Sequence, residues 1–364
     1  MKISDFKLER YFAAHEFNAP YLLCCSACES FTIEDILQFE NDACENFMRL
    51  GLGYTESPGH PALREAIAGL YANMNAEQIL VHSGAEEAIF SFMQVALNRG
   101  DHLIVHSPCY QSLYEVARAS GCDVTPWPAE ENTGWALDID FLLRAIKKNT
   151  KAIAINCPHN PTGYLMPKAQ LQQIIEIARS HSLYLFSDEV YRLLEYEPAN
   201  RLPAACDLFE KAVSLGVMSK AFGLAGLRIG WIATQDRALF EKMSAFKDYT
   251  TICNSAPSEF LAAIALRNQD RILQRNLQII RKNLALLNGF FQRHKNIFAW
   301  QPPRAGCIAF PRLKIDQDVE NFCAELLEQA GVLLLPASMY GYGDKHFRIG
   351  FSRINMPEAL AALD

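Results

Sequence analysis

The chain has 364 residues, 50% of them hydrophobic and 21% charged, with a formal net charge of -7. This length supports a large core and two domains, and the composition excludes disordered and fibrous classes. The negative balance gives no general attraction to nucleic acid or anionic membranes, so a small-molecule partner is expected.

Residues 1–20 carry charges throughout and lack an apolar stretch of signal-peptide length, and no later run approaches a membrane span. A soluble, cytoplasmic protein is expected. Eleven cysteines is a high count, and Cys24, Cys25 and Cys28 cluster, the last two forming Cys-x-x-Cys. Without a second pair at matching spacing no metal site is expected, and the thiols read as reduced, buried small residues.

Strand-like apolar runs alternate with amphipathic helical stretches from about residue 60 to 250. Residues 79–82 lead to a helix at 85–97, 102–106 to a helix at 111–120, and 152–156 to a helix at 168–180. Further short runs follow at 183–186, 212–218 and 229–233. Such alternation predicts an α/β fold with a mostly parallel central sheet covered by helices. After residue 250 the pattern becomes two helices, 258–267 and 270–294, and then short strands near 307–310, 332–335 and 347–351. That order predicts a smaller α+β domain, so the expected division is 45–250 for the large domain and 1–44 with 251–364 for the small one.

In open parallel sheets ligands bind beyond the carboxyl ends of the strands, and polar residues collect there. Ser83, Gly84 and Ala85 close one strand and open a helix, where backbone N–H groups can hold an anion; an ordinary N-cap explains them equally well. Tyr110 follows the next strand, placed either to stack on a flat ligand or simply to pack. Asn160 stands in the stiff Cys-Pro-His-Asn-Pro-Thr-Gly loop, which reads either as a plain rigid turn or as one that aims the amide at a ring hydroxyl or a substrate carboxylate. Asp188 ends a buried run, where it reads either as a helix N-cap or as a carboxylate that needs a cation such as a protonated ring nitrogen, and Tyr191 follows three residues later.

Lys220 lies in Ser-Lys-Ala-Phe-Gly-Leu-Ala-Gly-Leu-Arg-Ile-Gly at 219–230, directly after a strand and with Arg228 close in sequence. An amine beside another cation and partly removed from water is pushed toward its neutral form, which attacks carbonyls to form a Schiff base. A nucleotide-type phosphate loop is excluded, because Ala221 follows the lysine and only Gly216 precedes it, while an ordinary surface charge stays open for a single lysine until partners elsewhere in the chain are weighed. Arg228 suits a phosphate dianion, and Arg348, in His-Phe-Arg-Ile-Gly-Phe, suits a carboxylate clamp.

With these groups together the chain resembles the fold-type I pyridoxal phosphate enzymes, specifically the class I/II aminotransferases of the aspartate aminotransferase superfamily. The resemblance runs from Gly-Tyr-Thr-Glu-Ser-Pro-Gly-His-Pro-Ala-Leu-Arg at 53–64, through Asn-Pro-Thr-Gly at 160–163, Asp-Glu-Val-Tyr at 188–191 and the Lys220 segment, to Arg348. It implies pyridoxal 5'-phosphate as cofactor, joined to Lys220 as a Schiff base, with Asp188 holding the pyridine nitrogen protonated. Asn160 and Tyr191 are implied at the ring oxygen, and Tyr110 against the ring. Ser83, Gly84, Ala85, Ser219 and Arg228 are implied at the phosphate, with Tyr54 reaching it from the other subunit of a homodimer. Arg348 and Asn160 are implied at the substrate, and the implied reaction moves an amino group between an amino acid and a 2-keto acid.

Two features depart from the family pattern. Val217 stands where many members carry a hydroxyl residue, and residues 22–29, Leu-Leu-Cys-Cys-Ser-Ala-Cys-Glu, replace a glycine-containing turn beside the substrate. The same set of groups also serves lyases, decarboxylases and cyclases, which form the alternative reading. A non-catalytic relative that binds the cofactor without turnover is the other alternative, and Lys220, Asp188 and Tyr191 all being present argues against it.

Overall fold

The computed structural model describes residues 2–364, and in it the apolar runs become a single seven-stranded sheet. Its strands are β1 (Ile79–His82), β2 (His102–Ser107), β3 (Asp123–Pro128), β4 (Thr150–Asn156), β5 (Tyr184–Asp188), β6 (Ala212–Val217) and β7 (Gly230–Thr234), in the spatial order β1-β7-β6-β5-β4-β2-β3. All point the same way except β7, which is antiparallel to both neighbours. The two faces are buried by alternate residues of each strand. Leu103, Val105, Ala152, Ala154 and Phe186 enter one core, while Ile104, Ile153, Ile155 and Leu185 enter the other. The period of two along a strand thus explains why these runs read as continuously apolar.

Two points differ from the sequence expectation. Strand β3 was not anticipated; it carries Pro126 and Pro128 and lies at the sheet edge, where missing N–H donors are tolerated. Strand β7 runs antiparallel because its link to β6 holds only a short 3-10 turn, Ala225–Leu227, and no crossover helix. The consequence is functional: Lys220, just after β6, and Arg228, just before β7, emerge at the same end of the sheet.

The helix Gln269–Arg293 is 25 residues long, about 37 Å at 1.5 Å per residue. Its buried stripe includes Leu273, Asn276, Ile280, Asn283, Leu287 and Phe290, at alternating spacings of three and four. The two asparagines on that stripe act as ties. Asn276 Nδ2 donates to Ala221 O at 2.8 Å, and Asn283 Nδ2 donates to Phe351 O and Arg353 O. Beyond it lie two small sheets, β8 (Phe298–Ala299) with β10 (Arg312–Leu313), and β9 (Ile308–Ala309) with β12 (Phe347–Gly350) and β11 (Leu335–Pro336).

Residues 332–334, expected within a strand of that sheet, instead meet the N-terminal stretch: Tyr21 bridges Val332, and Leu333 N–H donates to Tyr21 O. The same stretch continues past Gly350, whose N–H bonds Leu23 O, to Lys220, whose carbonyl accepts from Cys28 N–H. Among the described residues no helix is long and apolar enough to cross a membrane.

Candidate active site

A cavity of about 560 Å³ opens at the carboxyl ends of the parallel strands, and most of the anticipated polar residues line it. Asn160, Asp188, Tyr191, Ser219 and Lys220 form its floor and walls, with Ala85, Tyr110, Arg228 and Arg348 around them. Sheet register explains part of this assembly. Asn156 pairs with Asp188 across β4 and β5, and Asn156 then holds the next loop by accepting from Asn160 N–H at 2.7 Å.

Asp188 is 5% exposed, and its carboxylate takes one hydrogen bond, from Val190 N–H at 3.2 Å. Burial pushes its pKa up to about 7, with Lys220 pulling the other way. A buried carboxylate this poorly satisfied is a place for a cation. The Tyr191 hydroxyl is buried with no aligned partner; Ser26 lies near enough to act on it, but not in hydrogen-bonding geometry. The amide oxygen of Asn160 is occupied by Tyr340 and Arg348, which leaves its NH₂ group to donate.

Lys220 Nζ donates to Ser26 Oγ at 3.0 Å. Its pKa is lowered, first by burial and then by the positive charge of Arg348. The cation acting on Lys220 is therefore Arg348, brought from 128 positions along the chain, and not its sequence neighbour Arg228.

Arg228 takes a left-handed conformation, φ 53°, and turns toward the helix Gly84–Ala96. A Cβ on Gly84, itself at φ +83°, would stand 2.6 Å from Arg228 Nη2, so the guanidinium rests directly over this glycine. A helix amino terminus under a guanidinium is a cradle for an anion. Ser83 contributes less than expected, because its N–H is already given to Glu87 Oε2 at 2.5 Å and it does not line the cavity. Val217 is buried away from the cavity wall, so no side chain at that position serves the anion.

Arg348 is 1% exposed on β12. Its Nη2 donates to Cys24 O at 2.7 Å and its Nη1 to the Tyr340 hydroxyl at 2.6 Å, while Nε is buried without a partner. Tyr110 lines the wall with its hydroxyl donated to Glu9 Oε1 at 2.8 Å and its ring tilted against Phe6. Tyr54 is 89% exposed and is not part of this chain's own cavity.

Sequence reasoning missed Ser26, Tyr340, Arg353 and the helix Lys7–His15, all brought in by tertiary contacts. Arg353 donates to Glu29 Oε1 at 3.1 Å and to Cys25 Sγ at 3.2 Å. Residues 22–29, the departure noted beside the substrate, contribute Cys25, Ser26 and Ala27 to the cavity wall that Lys220 also lines.

These residues set an amine, a buried carboxylate, guanidinium groups and an unpartnered hydroxyl around one cavity, an arrangement suited to chemistry on amines and carbonyls. The chain belongs to the aminotransferase class I and II family, whose model matches residues 22–363. Its cofactor is pyridoxal phosphate, and the observations above fit that group: the under-satisfied Asp188, the unpartnered Tyr191 hydroxyl and the Gly84 cradle under Arg228. The chain is 31% identical to the capreomycidine synthase of Streptomyces vinaceus over 84% of its own length and 79% of the relative's. A crystal structure of a PLP-dependent aminotransferase from Streptococcus suis matches with a TM-score of 0.94 at 31% identity, covering 100% of this chain and 97% of that one. The PLP-dependent cyclase OrfR matches with a TM-score of 0.89 at 29% identity, covering 100% and 97%.

Proposed function

We propose that the chain is an aminotransferase that moves an amino group between an L-amino acid and a 2-keto acid, with Lys220 as its catalytic amine. One observation carries this reading: an amine of lowered pKa, a buried carboxylate and a buried guanidinium with a free Nε face one cavity. When bound, pyridoxal phosphate supplies the electron sink that stabilises negative charge at the substrate α-carbon.

Asp188 would keep the pyridine nitrogen protonated by offering its carboxylate to the ring cation. Asn160 donates its NH₂ to the ring oxygen, Tyr191 adds its hydroxyl, and Tyr110 walls the ring. Arg228, Ser219 and the backbone N–H groups of Gly84 and Ala85 would hold the phosphate end, with the Ser83 N–H committed to Glu87. Arg348 takes the substrate carboxylate through its free Nε side, beside Asn160. Lys220 would hold the cofactor, and its lowered pKa suits its free amine to carry a proton to and from the substrate α-carbon. Ser26 orients that amine.

The same reading includes a cytoplasmic homodimer in which Tyr54 crosses to the other subunit's phosphate. The exposure of Tyr54 outside its own cavity supports this. It also includes the division into a large domain, 45–250, and a small domain made of 1–44 with 251–364.

The test incubates the cofactor-loaded protein with single amino acids. A keto acid product with the amino group retained on the cofactor supports the reading, and borohydride should fix the cofactor to the native protein but not to Lys220→Ala. Cyclase or lyase chemistry is the second reading, supported by the likeness to OrfR. Ring-closed product, carbon dioxide or free ammonia with the cofactor unchanged would decide for it.

A further inference from the structure

The cavity mouth carries negative charge that no ion pair among the described residues cancels. The helix Lys7–His15 lies over it, and Glu16, at its carboxyl end, keeps helical angles of φ -58° and ψ -41°. Glu9, Phe12 and Glu16, spaced at i, i+3 and i+7, therefore share one face, and all three line the cavity. Glu9 accepts from the Tyr110 hydroxyl, which leaves its charge uncancelled. Among the described residues neither Glu9 nor Glu16 forms an ion pair.

The cations nearby are committed elsewhere. Lys220, which the charge of Glu9 reaches, bonds Ser26 and is the amine assigned to the cofactor, Arg353 is paired with Glu29, Arg228 rests over Gly84, and Arg348 is held by Tyr340 and Cys24 with its Nε buried and unpartnered. That unpartnered Nε points independently to a ligand with a carboxylate. A ligand anchored there and reaching outward meets Glu9 and Glu16. A second carboxylate on it would be repelled, and a neutral side chain would leave both acids without a counter-ion in a half-enclosed site.

We infer that this site is built for amino acids with a cationic side chain, an ammonium or a guanidinium held between Glu9 and Glu16 while Arg348 holds the α-carboxylate. The aromatic rings of Phe6 and Tyr110, centroids 4.9 Å apart and both in the cavity wall, offer such a cation a further favourable surface. The inference rests on the proposed function for the placement of the α-carboxylate.

Calorimetric titration of the cofactor-loaded protein with L-arginine, its neutral isostere L-citrulline and L-glutamate reads the preference whether or not an amino group moves. L-Arginine should bind at least about tenfold more tightly than L-citrulline, and L-glutamate more weakly than either. Glu16→Gln and Glu9→Gln should each weaken L-arginine while leaving L-citrulline in place, and the double variant should abolish the preference. Equal binding of L-arginine and L-citrulline, tighter binding of L-glutamate, or a preference surviving in the double variant would overturn the inference. Product analysis on the same samples separates the two proposals. Preference for L-arginine without amino transfer sinks the aminotransferase reading alone, whereas amino transfer without that preference sinks this inference alone.

Discussion

The guanidinium of Arg348 and the amide oxygen of Asn160 lie 3.3 Å apart, and the Tyr340 hydroxyl joins them, accepting from Arg348 Nη1 at 2.6 Å and donating to Asn160 Oδ1 at 2.8 Å. This bridge ties the residue assigned to the substrate carboxylate to the residue assigned to the cofactor ring. Tyr340→Phe removes a hydrogen bond to a charged group, so the KM for the amino acid should rise roughly tenfold with kcat changed less. Steady-state kinetics on a single amino donor checks this; an unchanged KM would mean that the bridge does not position Arg348.

Burial of Asp188 has a pH signature. Its pKa of about 7 in the cofactor-free protein stands above its ordinary 3.8, so between those values the native state holds a proton that the unfolded chain has lost. Stability from this group is complete below pH 3.8 and falls as pH rises toward 7. Glu86, also raised to about 7 by burial, slopes the same way. The buried histidines His82, His106 and His159, held below their ordinary pKa by burial, slope the opposite way, so the signature is a difference: the Tm of the native cofactor-free protein should gain on that of Asp188→Asn as the buffer is taken from pH 8 to pH 6. In the loaded enzyme the same substitution should lower kcat by about a hundredfold, because the ring loses its counter-charge.

Two glycines separate scaffold from site. A Cβ on Gly350 would fall 1.8 Å from Cys25 O, in rigid backbone, so Gly350→Ala should cost about 3 kcal/mol in denaturant unfolding. A Cβ on Gly84 would meet the mobile end of Arg228 instead. Gly84→Ala should lose mainly cofactor affinity, measured by equilibrium dialysis, with a stability cost of roughly 1–2 kcal/mol from its positive φ.

Asn276, 1% exposed, is the tie between the long helix and the lysine loop. Asn276→Leu leaves the buried Ala221 carbonyl without its donor, at a cost of about 1–3 kcal/mol. Since Ala221 adjoins Lys220, the proton-transfer step should slow as well, read as a drop in kcat in single-turnover measurements.

If Tyr54 crosses between subunits, two defective proteins repair one another. Lys220→Ala should be inactive and Tyr54→Phe weakened in cofactor binding. Mixed dimers would contain one site with native Lys220 and a native partner tyrosine, so refolding the two together should restore cofactor affinity at that site. No recovery would place Tyr54 outside the partner's site.

The cofactor chemistry was legible in the chain because its carriers are local. Asp188 ends a buried strand, Asn160 sits in a stiff loop, and Lys220 and Arg228 bracket one short link, so each announces itself within a dozen residues. The mostly parallel sheet was legible for the same reason, from alternation of short-range patterns. Strand β3 escaped because an edge position excuses its prolines, and the reversal of β7 escaped because direction depends on where a strand pairs. Only the tertiary structure decided that Arg348 is the cation beside Lys220, that Ser26 holds its amine, and that Glu9 and Glu16 face the mouth. Those contacts join positions as much as 194 residues apart for Ser26 and Lys220, and 324 for Arg348 and Cys24. Periodicity and spacing report the neighbourhood of each residue along the chain, while the surroundings of a substrate are set by side chains that packing alone brings together.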